Sequence, residues 1–106
     1  MRAIEREILR ELYHQAALRG FQCVRFACTP ATGEHGDEIA NPSLDDCIAH
    51  ARAWDSNSVI EFRDGAGSGF WVLLVWGNGE DLISDYTGDN PDAGRVTDAV
   101  AQWIEA

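Results

Sequence analysis

The sequence predicts an α+β fold with three helices and an antiparallel β-meander, in the order α-β-α-β-β-β-α. Three runs rich in β-branched and aromatic residues, separated by glycine-containing turns, lie between residues 58 and 86 and predict the meander. Stretches with apolar residues at helical spacing precede and follow it. Because 106 residues suit one domain with one core, we expect residues 1–106 to form a single α+β domain.

The first helix is predicted over residues 2–19, where apolar residues recur at every fourth position from Ile4 to Ala16. Gly20 can adopt the left-handed conformation that ends a helix. Phe21 is placed for the hydrophobic contact that accompanies such a cap.

Residues 21–29 are rich in strand-forming residues and are a candidate fourth strand, which Pro30 would end. Residues 30–42 contain two prolines, two glycines and three acids, and predict a long surface loop. The second helix follows this loop, capped by either Asn41 or Ser43.

The third helix is predicted to begin at Asn90, a good capping residue, with Pro91 at the first helical position. The helical spacing of its apolar residues predicts that this helix extends to about Ile104.

The register of the meander depends on its two turns. We take residues 64–69 as the first loop and Asn78-Gly79 as a two-residue hairpin loop. Side chains then alternate between two faces. The expected core side carries Ile60, Phe62, Trp71, Leu73, Val75, Leu82 and Tyr86, and the expected mixed side carries Val59, Glu61, Arg63, Phe70, Val72, Leu74, Trp76, Asp81, Ile83 and Asp85.

The middle run, Phe70–Trp76, contains no polar residue, which predicts a central strand covered on both faces. Two alternatives stay open for the mixed side. It is covered by a helix of the same domain, or it is a binding surface of aromatic residues with a charged rim.

Acidic residues dominate the chain beyond residue 30. The formal net charge is −10, and residues 1–30 carry five Arg and three Glu, whereas residues 31–106 carry three Arg and fifteen acids. Such a surface repels nucleic acid and anionic membranes and attracts basic partners. The alternative is that the acidity only favours solubility.

No apolar run approaches the roughly 18 residues that a membrane span requires. The charged N-terminal stretch lacks the apolar segment of a signal peptide. We therefore expect a cytoplasmic protein that does not bind a membrane.

Three cysteines, Cys23, Cys28 and Cys47, exclude complete pairing within the chain and are interpreted as buried, reduced thiols. With His50 they could form a zinc site. Cys23 and Cys28 lie five residues apart on a predicted strand, however, and should point to opposite faces. We expect neither a metal nor a cofactor.

Glu61 and Asp85 are the one geometric indication of acid–base chemistry. The assumed register puts them in one row with Val72, with their carboxylates about 9–10 Å apart, near the upper end of the range for inverting glycosidases. No nucleophile motif or cleft accompanies them, so we expect no enzymatic activity.

The segments Phe70–Asn78 and Ile83–Thr87, followed by a capped closing helix, resemble small acidic proteins of phages and mobile elements. The resemblance covers about residues 43–106. Among the characterised proteins of this kind, the chain is similar in size and charge to anti-CRISPR proteins and other anti-defence inhibitors. It implies a stoichiometric inhibitor that binds a nuclease or effector complex at a basic surface meant for nucleic acid, and it assigns no residue a role.

The leading hypothesis is therefore an acidic inhibitor that binds a basic protein or nucleoprotein effector and makes no direct contact with nucleic acid. Its expected partner-binding residues are the acids Glu61, Asp81, Asp85, Asp89 and Asp92 and the aromatic anchors Phe70 and Trp76. The alternatives are an immunity protein for a basic toxin, and a homodimeric accessory protein whose apolar sheet face is its self-interface.

Overall fold

In the part of the chain that the structure describes, five antiparallel strands form one sheet, and three helices pack on one of its two faces. The computed structural model describes residues 1–29, 37–54, 57–88 and 90–106. Its elements are α1 (Ala3–Leu18), β1 (Gln22–Thr29), β2 (Asp37–Ala40), α2 (Leu44–Trp54), β3 (Asn57–Arg63), β4 (Gly69–Leu74), a 3₁₀ turn (Gly79–Asp81), β5 (Ile83–Tyr86) and α3 (Pro91–Glu105). The strand order across the sheet is β2-β1-β3-β4-β5.

The predicted α+β class is confirmed, and the sheet is larger than expected. The candidate strand at residues 21–29 is present as β1, which pairs with β3. Strand β2 lies within residues 30–42, where a loop was predicted, and pairs with the other edge of β1. The earlier part of that predicted loop, residues 30–36, lies outside the described residues.

The core lies between the helices and the inner face of the sheet. Alternate residues of the three central strands point into it and are at most 2% exposed: Phe26, Cys28, Ile60, Phe62, Phe70, Val72 and Leu74. The helices contribute Ile8, Leu9, Leu12, Ala16, Cys47, Ala51, Ala93, Val96 and Val100. Because these side chains form one cluster, all three helices cover the same face of the sheet.

Local capping signals position the helices. Gly20 ends α1 with a φ of 83°. Helix α2 begins with a reciprocal capping box, in which the Ser43 hydroxyl accepts from the Asp46 N–H at 3.1 Å and the Asp46 carboxylate accepts from the Ser43 N–H at 3.1 Å. The Asn90 side chain accepts from the Asp92 N–H at 2.9 Å. Of the two predicted caps of α2, the structure therefore selects Ser43.

The predicted register between β3 and β4 is wrong by one residue. The loop ends at Ser68, so Arg63 pairs with Gly69 and Glu61 pairs with Trp71. The Asp64 carboxylate organises this shorter loop by accepting from the backbone N–H of Ser68 at 2.9 Å.

A shift of one residue turns every β4 side chain to the other face. Phe70 is consequently in the core at 2% exposure, and Trp71 faces solvent at 39%. Trp71 and Leu73 were expected in the core and Phe70, Val72 and Leu74 on the mixed side, and these five positions are corrected. The expectation that both faces of this strand are covered is also wrong.

The second turn is longer than the predicted two-residue hairpin. Strand β4 ends at Leu74, and the 3₁₀ turn occupies part of the connection to β5. The Glu5 carboxylate of α1 binds the backbone N–H groups of Gly77 and Gly79, both of which have positive φ. This tertiary contact selects the longer connection. The predicted pairing of Leu74 with Ile83 is confirmed.

A bulge in β1 corrects the expectation for the cysteines. The register of β1 on β3 shifts between Cys23 and Arg25. An inserted residue reverses the alternation, so Cys23 and Cys28 are both buried on the helical side. They had been expected on opposite faces.

Within the described ranges, no helix combines the length and the apolar character that a bilayer-spanning segment needs.

Candidate protein-binding surfaces

No element in the described part of the chain covers the face of the sheet opposite the helices. We define the open sheet face by the outward side chains of its strands, namely Arg25, Ala27, Glu38, Val59, Glu61, Arg63, Trp71, Leu73 and Asp85. At its centre, Val59, Trp71 and Leu73 line a shallow depression of about 370 Å³ together with Arg25. An exposed tryptophan in the middle of a sheet is a common feature of interfaces.

Ion pairs neutralise most of the acidic charge on this face. The Arg25 guanidinium lies 3.0 Å from a Glu38 carboxylate oxygen and 3.2 Å from one of Glu61. The Arg63 guanidinium lies 3.0 Å from the other oxygen of Glu61. The hydrogen bonds to Glu38 and Glu61 raise the pKa of Arg25 above its ordinary value. The predicted acidic rim is therefore largely compensated here.

Glu61 and Asp85 do not form the predicted carboxylate pair. Glu61 is opposite Trp71, whereas Asp85 is opposite Leu73. The two acids are thus displaced by two positions along β4, and the Glu61 carboxylate binds both of its neighbouring arginines. The prediction that they share one row with Val72 is wrong.

The two predicted aromatic anchors belong to the interior side of the sheet. The Phe70 ring lies 5.1 Å from the Phe21 ring and 5.3 Å from the Phe62 ring, between centroids. Trp76 is half-buried, packs against the core and donates its indole N–H to the Ser58 hydroxyl at 2.8 Å. The predicted surface position of Phe70 is wrong. Trp71, its neighbour in sequence, is exposed on the opposite face of the sheet.

Two of the remaining predicted acids, Asp81 and Asp92, lie apart from the open sheet face. Asp81 is exposed in the 3₁₀ turn. Asp92 is in the first turn of α3, where its carboxylate accepts from Arg95 at 3.0 Å. Asp89 lies outside the described residues.

A second surface, not predicted from the sequence, lies between the 3₁₀ turn, β5 and α3. We call it the acidic cleft, a depression of about 270 Å³ lined by Glu80, Asp81, Ile83, Tyr86, Thr97, Asp98, Val100, Ala101 and Ile104. Its apolar floor includes Ile83 and Ile104, both half-buried. The three charged residues among this lining are all acidic, and all three are exposed.

The cysteines form a buried thiol environment. A hydrogen bond to Cys23, together with burial, raises the pKa of Cys47. Burial also raises the pKa of Cys28, whose sulfur lies 3.2 Å from the Ser58 hydroxyl. In the part of the chain that the structure describes, no group of three or more His, Cys, Asp or Glu side chains could hold a metal ion.

No protein-family model matches the chain, and comparison with curated proteins and with solved structures gave no significant match. The two surfaces themselves are therefore the features that bear on function.

Proposed function

We propose that this protein is an acidic, non-catalytic inhibitor that binds a positively charged surface of a nucleic-acid-binding effector, as its resemblance to anti-CRISPR proteins implies. The observation that carries the proposal is the acidic cleft. Its floor is apolar, and the charged residues in its lining, Glu80, Asp81 and Asp98, are all negative.

A cleft of this composition suits an arginine or lysine side chain. The aliphatic stem of such a side chain packs on apolar surface such as Ile83 and Ile104, and its charged head reaches the carboxylates at the rim. The net charge of −10 adds long-range attraction to a basic surface. When this protein is bound, the basic surface of the partner is covered and can no longer bind nucleic acid.

The carboxylates at the rim of the acidic cleft contribute modestly to the binding free energy, and added salt weakens that contribution. Exposed ion pairs are worth about 0.2–1 kcal/mol each, so three give about 0.6–3 kcal/mol, which corresponds to roughly 3- to 150-fold in affinity. The remainder of the affinity must come from apolar contact. The association rate should fall steeply as salt is added, because the steering is electrostatic.

The test measures DNA cleavage by a panel of purified CRISPR nucleases at increasing concentrations of the protein. We expect near-stoichiometric inhibition of at least one nuclease, weaker at high salt. The triple variant Glu80→Gln, Asp81→Asn, Asp98→Asn should inhibit more weakly, by roughly 3- to 150-fold.

A matched control removes the same number of charges elsewhere. The triple variant Glu11→Gln, Asp37→Asn, Asp45→Asn changes acids on α1, β2 and α2, away from the cleft, and should inhibit nearly as well as the native protein. If no nuclease is inhibited, the proposed function is wrong. If both triple variants lose inhibition equally, the acidic cleft is not the binding site.

A further inference from the structure

We propose that the open sheet face is the interface of a homodimer, in which two copies of the chain pack sheet against sheet. This inference concerns a different surface from the acidic cleft and does not depend on the proposed function.

The apolar centre of the open sheet face provides the contact. Trp71 is 39% exposed, and Val59 and Leu73 beside it are half-buried, around the depression of about 370 Å³. The helices all pack on the opposite face, so no described element of the same chain covers these side chains. Burying a tryptophan and its aliphatic neighbours is the usual basis of an interface centre.

Charge favours a second copy as the occupant. Two chains of net charge −10 repel each other across most of their surfaces. On the open sheet face, however, Arg25 and Arg63 form ion pairs with Glu38 and Glu61. This face is therefore where two copies can approach with little repulsion, whereas the basic partner of the proposed function has no particular reason to prefer it.

The topology makes the face self-complementary. A two-fold axis parallel to the strands and between β3 and β4 exchanges those two strands, and it exchanges β1 with β5. Leu73 of one copy then lies over Val59 of the other, because the two residues pair across β3 and β4. Arg25 on β1 lies within two residue positions of Asp85 on the β5 of the other copy. Arg25 of each copy therefore lies close to Asp85 of the other copy.

The dimensions are sufficient for a stable interface. The described sheet has five strands about 4.8 Å apart and up to eight residues long, so its open face together with the loops beside it can supply the about 800 Å² per partner of a standard interface. Two sheets packed face to face lie about 10 Å apart, which lets Trp71 fill the depression of the opposite copy.

The experiment is sedimentation equilibrium of the pure protein over a range of concentrations and at low and high salt. We expect a dimer that persists at high salt, since its centre is apolar. Trp71→Glu should raise the dimer dissociation constant at least about 30-fold. The control is Leu18→Glu, which changes a side chain that is 65% exposed on the helical side and should leave the dimer intact. Circular dichroism of each variant checks that it is folded.

A pair of charge reversals distinguishes a symmetric dimer from other contacts. Asp85→Arg and Arg25→Glu should each weaken self-association, and an equimolar mixture of the two should form a mixed dimer across the restored pair. A native protein that stays monomeric, or a Trp71→Glu variant that stays dimeric, would overturn the inference. The acidic-cleft triple variant should remain dimeric, so failure here and failure of the inhibitor hypothesis give different results.

Discussion

Glu5 offers the sharpest test of how the helices hold the sheet connections. Its side chain is fully buried. One carboxylate oxygen accepts from the Arg2 N–H at 2.8 Å, and the other accepts from the Gly77 N–H at 2.5 Å and from the Gly79 N–H at 3.4 Å. The carboxylate therefore caps α1 and fastens the β4–β5 connection to it.

Glu5→Gln keeps the shape and removes the charge. Hydrogen bonds to a charged group contribute about 1.5–3 kcal/mol each, and the 3.4 Å contact is too long to count fully. The amide oxygen can still accept on one side, but the new NH₂ group would face backbone donors on the other. We expect a loss of about 2–3 kcal/mol in the free energy of unfolding, which is about 10–15 °C in the melting temperature of a domain of this size.

The loss of stability caused by Glu5→Gln should become smaller as the pH is lowered. Burial raises the pKa of Glu5, but the backbone N–H groups of Arg2, Gly77 and Gly79 outweigh it and lower the pKa below its ordinary value of 4.5. A depressed carboxyl pKa adds stability that is fully present above the unfolded-state value and disappears as the pH falls through the folded-state value. The difference between the native protein and Glu5→Gln should thus be constant near neutral pH and shrink below 4.5.

Urea denaturation followed by tryptophan fluorescence, repeated across this pH range, measures both effects. The control is Glu11→Gln on the same helix, because the structure shows Glu11 accepting from Gln15 one turn away. It should cost less than about 0.5 kcal/mol. A Glu5→Gln penalty as small as that of the control, or one that does not change with pH, would refute the reasoning.

Two further pairs of substitutions test the β3–β4 turn and the cap of α3. Gly69→Ala would place a Cβ atom 2.5 Å from the Phe62 carbonyl oxygen and should cost about 1–3 kcal/mol, whereas Gly65→Ala meets nothing within 4 Å and should be nearly neutral in urea denaturation. Equal effects of the two would contradict the β3–β4 register. Asn90→Ala loses the cap on the Asp92 N–H and the 2.6 Å hydrogen bond to the Gly69 carbonyl, and should cost about 2 kcal/mol. Asn90→Asp, which keeps only the cap, should cost about half as much, and an Asn90→Asp variant as stable as the native protein would contradict the second contact.

The helices were predictable because their signals are local. Gly20 ends α1, Ser43 and Asp46 form the cap of α2, and Asn90 begins α3, all within a turn of the helix that they define. Such side-chain and backbone preferences act at short range and do not require the rest of the fold.

The strand register was not predictable because the pattern of β4 is uniform. From Phe70 to Trp76 every residue is apolar, so no alternation indicates which side is buried. Register then depends on loop length, and a difference of one residue exchanges the faces. The Asp64 carboxylate shortens the first loop, and the Glu5 carboxylate, more than 70 residues away in sequence, shapes the second connection.

The candidate surfaces were only partly accessible to sequence reasoning. Asp81 was expected to bind a partner and lines the acidic cleft, but Asp98 joins it only because α3 packs beside β5. The pairing of Arg25 with Glu61 likewise links residues 36 positions apart. Contacts between distant elements carry no local sequence signal.

The position of both surfaces depends on which side of β4 faces solvent. The most direct measurement compares the free energies of unfolding of Phe70→Arg and Trp71→Arg, two adjacent residues, at submicromolar protein concentration. The structure predicts that Trp71→Arg costs less than about 1 kcal/mol and that Phe70→Arg, which buries an unpaired charge in the core, costs more than about 4 kcal/mol or prevents folding. A tolerated Phe70→Arg with a severely destabilised Trp71→Arg would contradict the account, because the open sheet face would then be the other one.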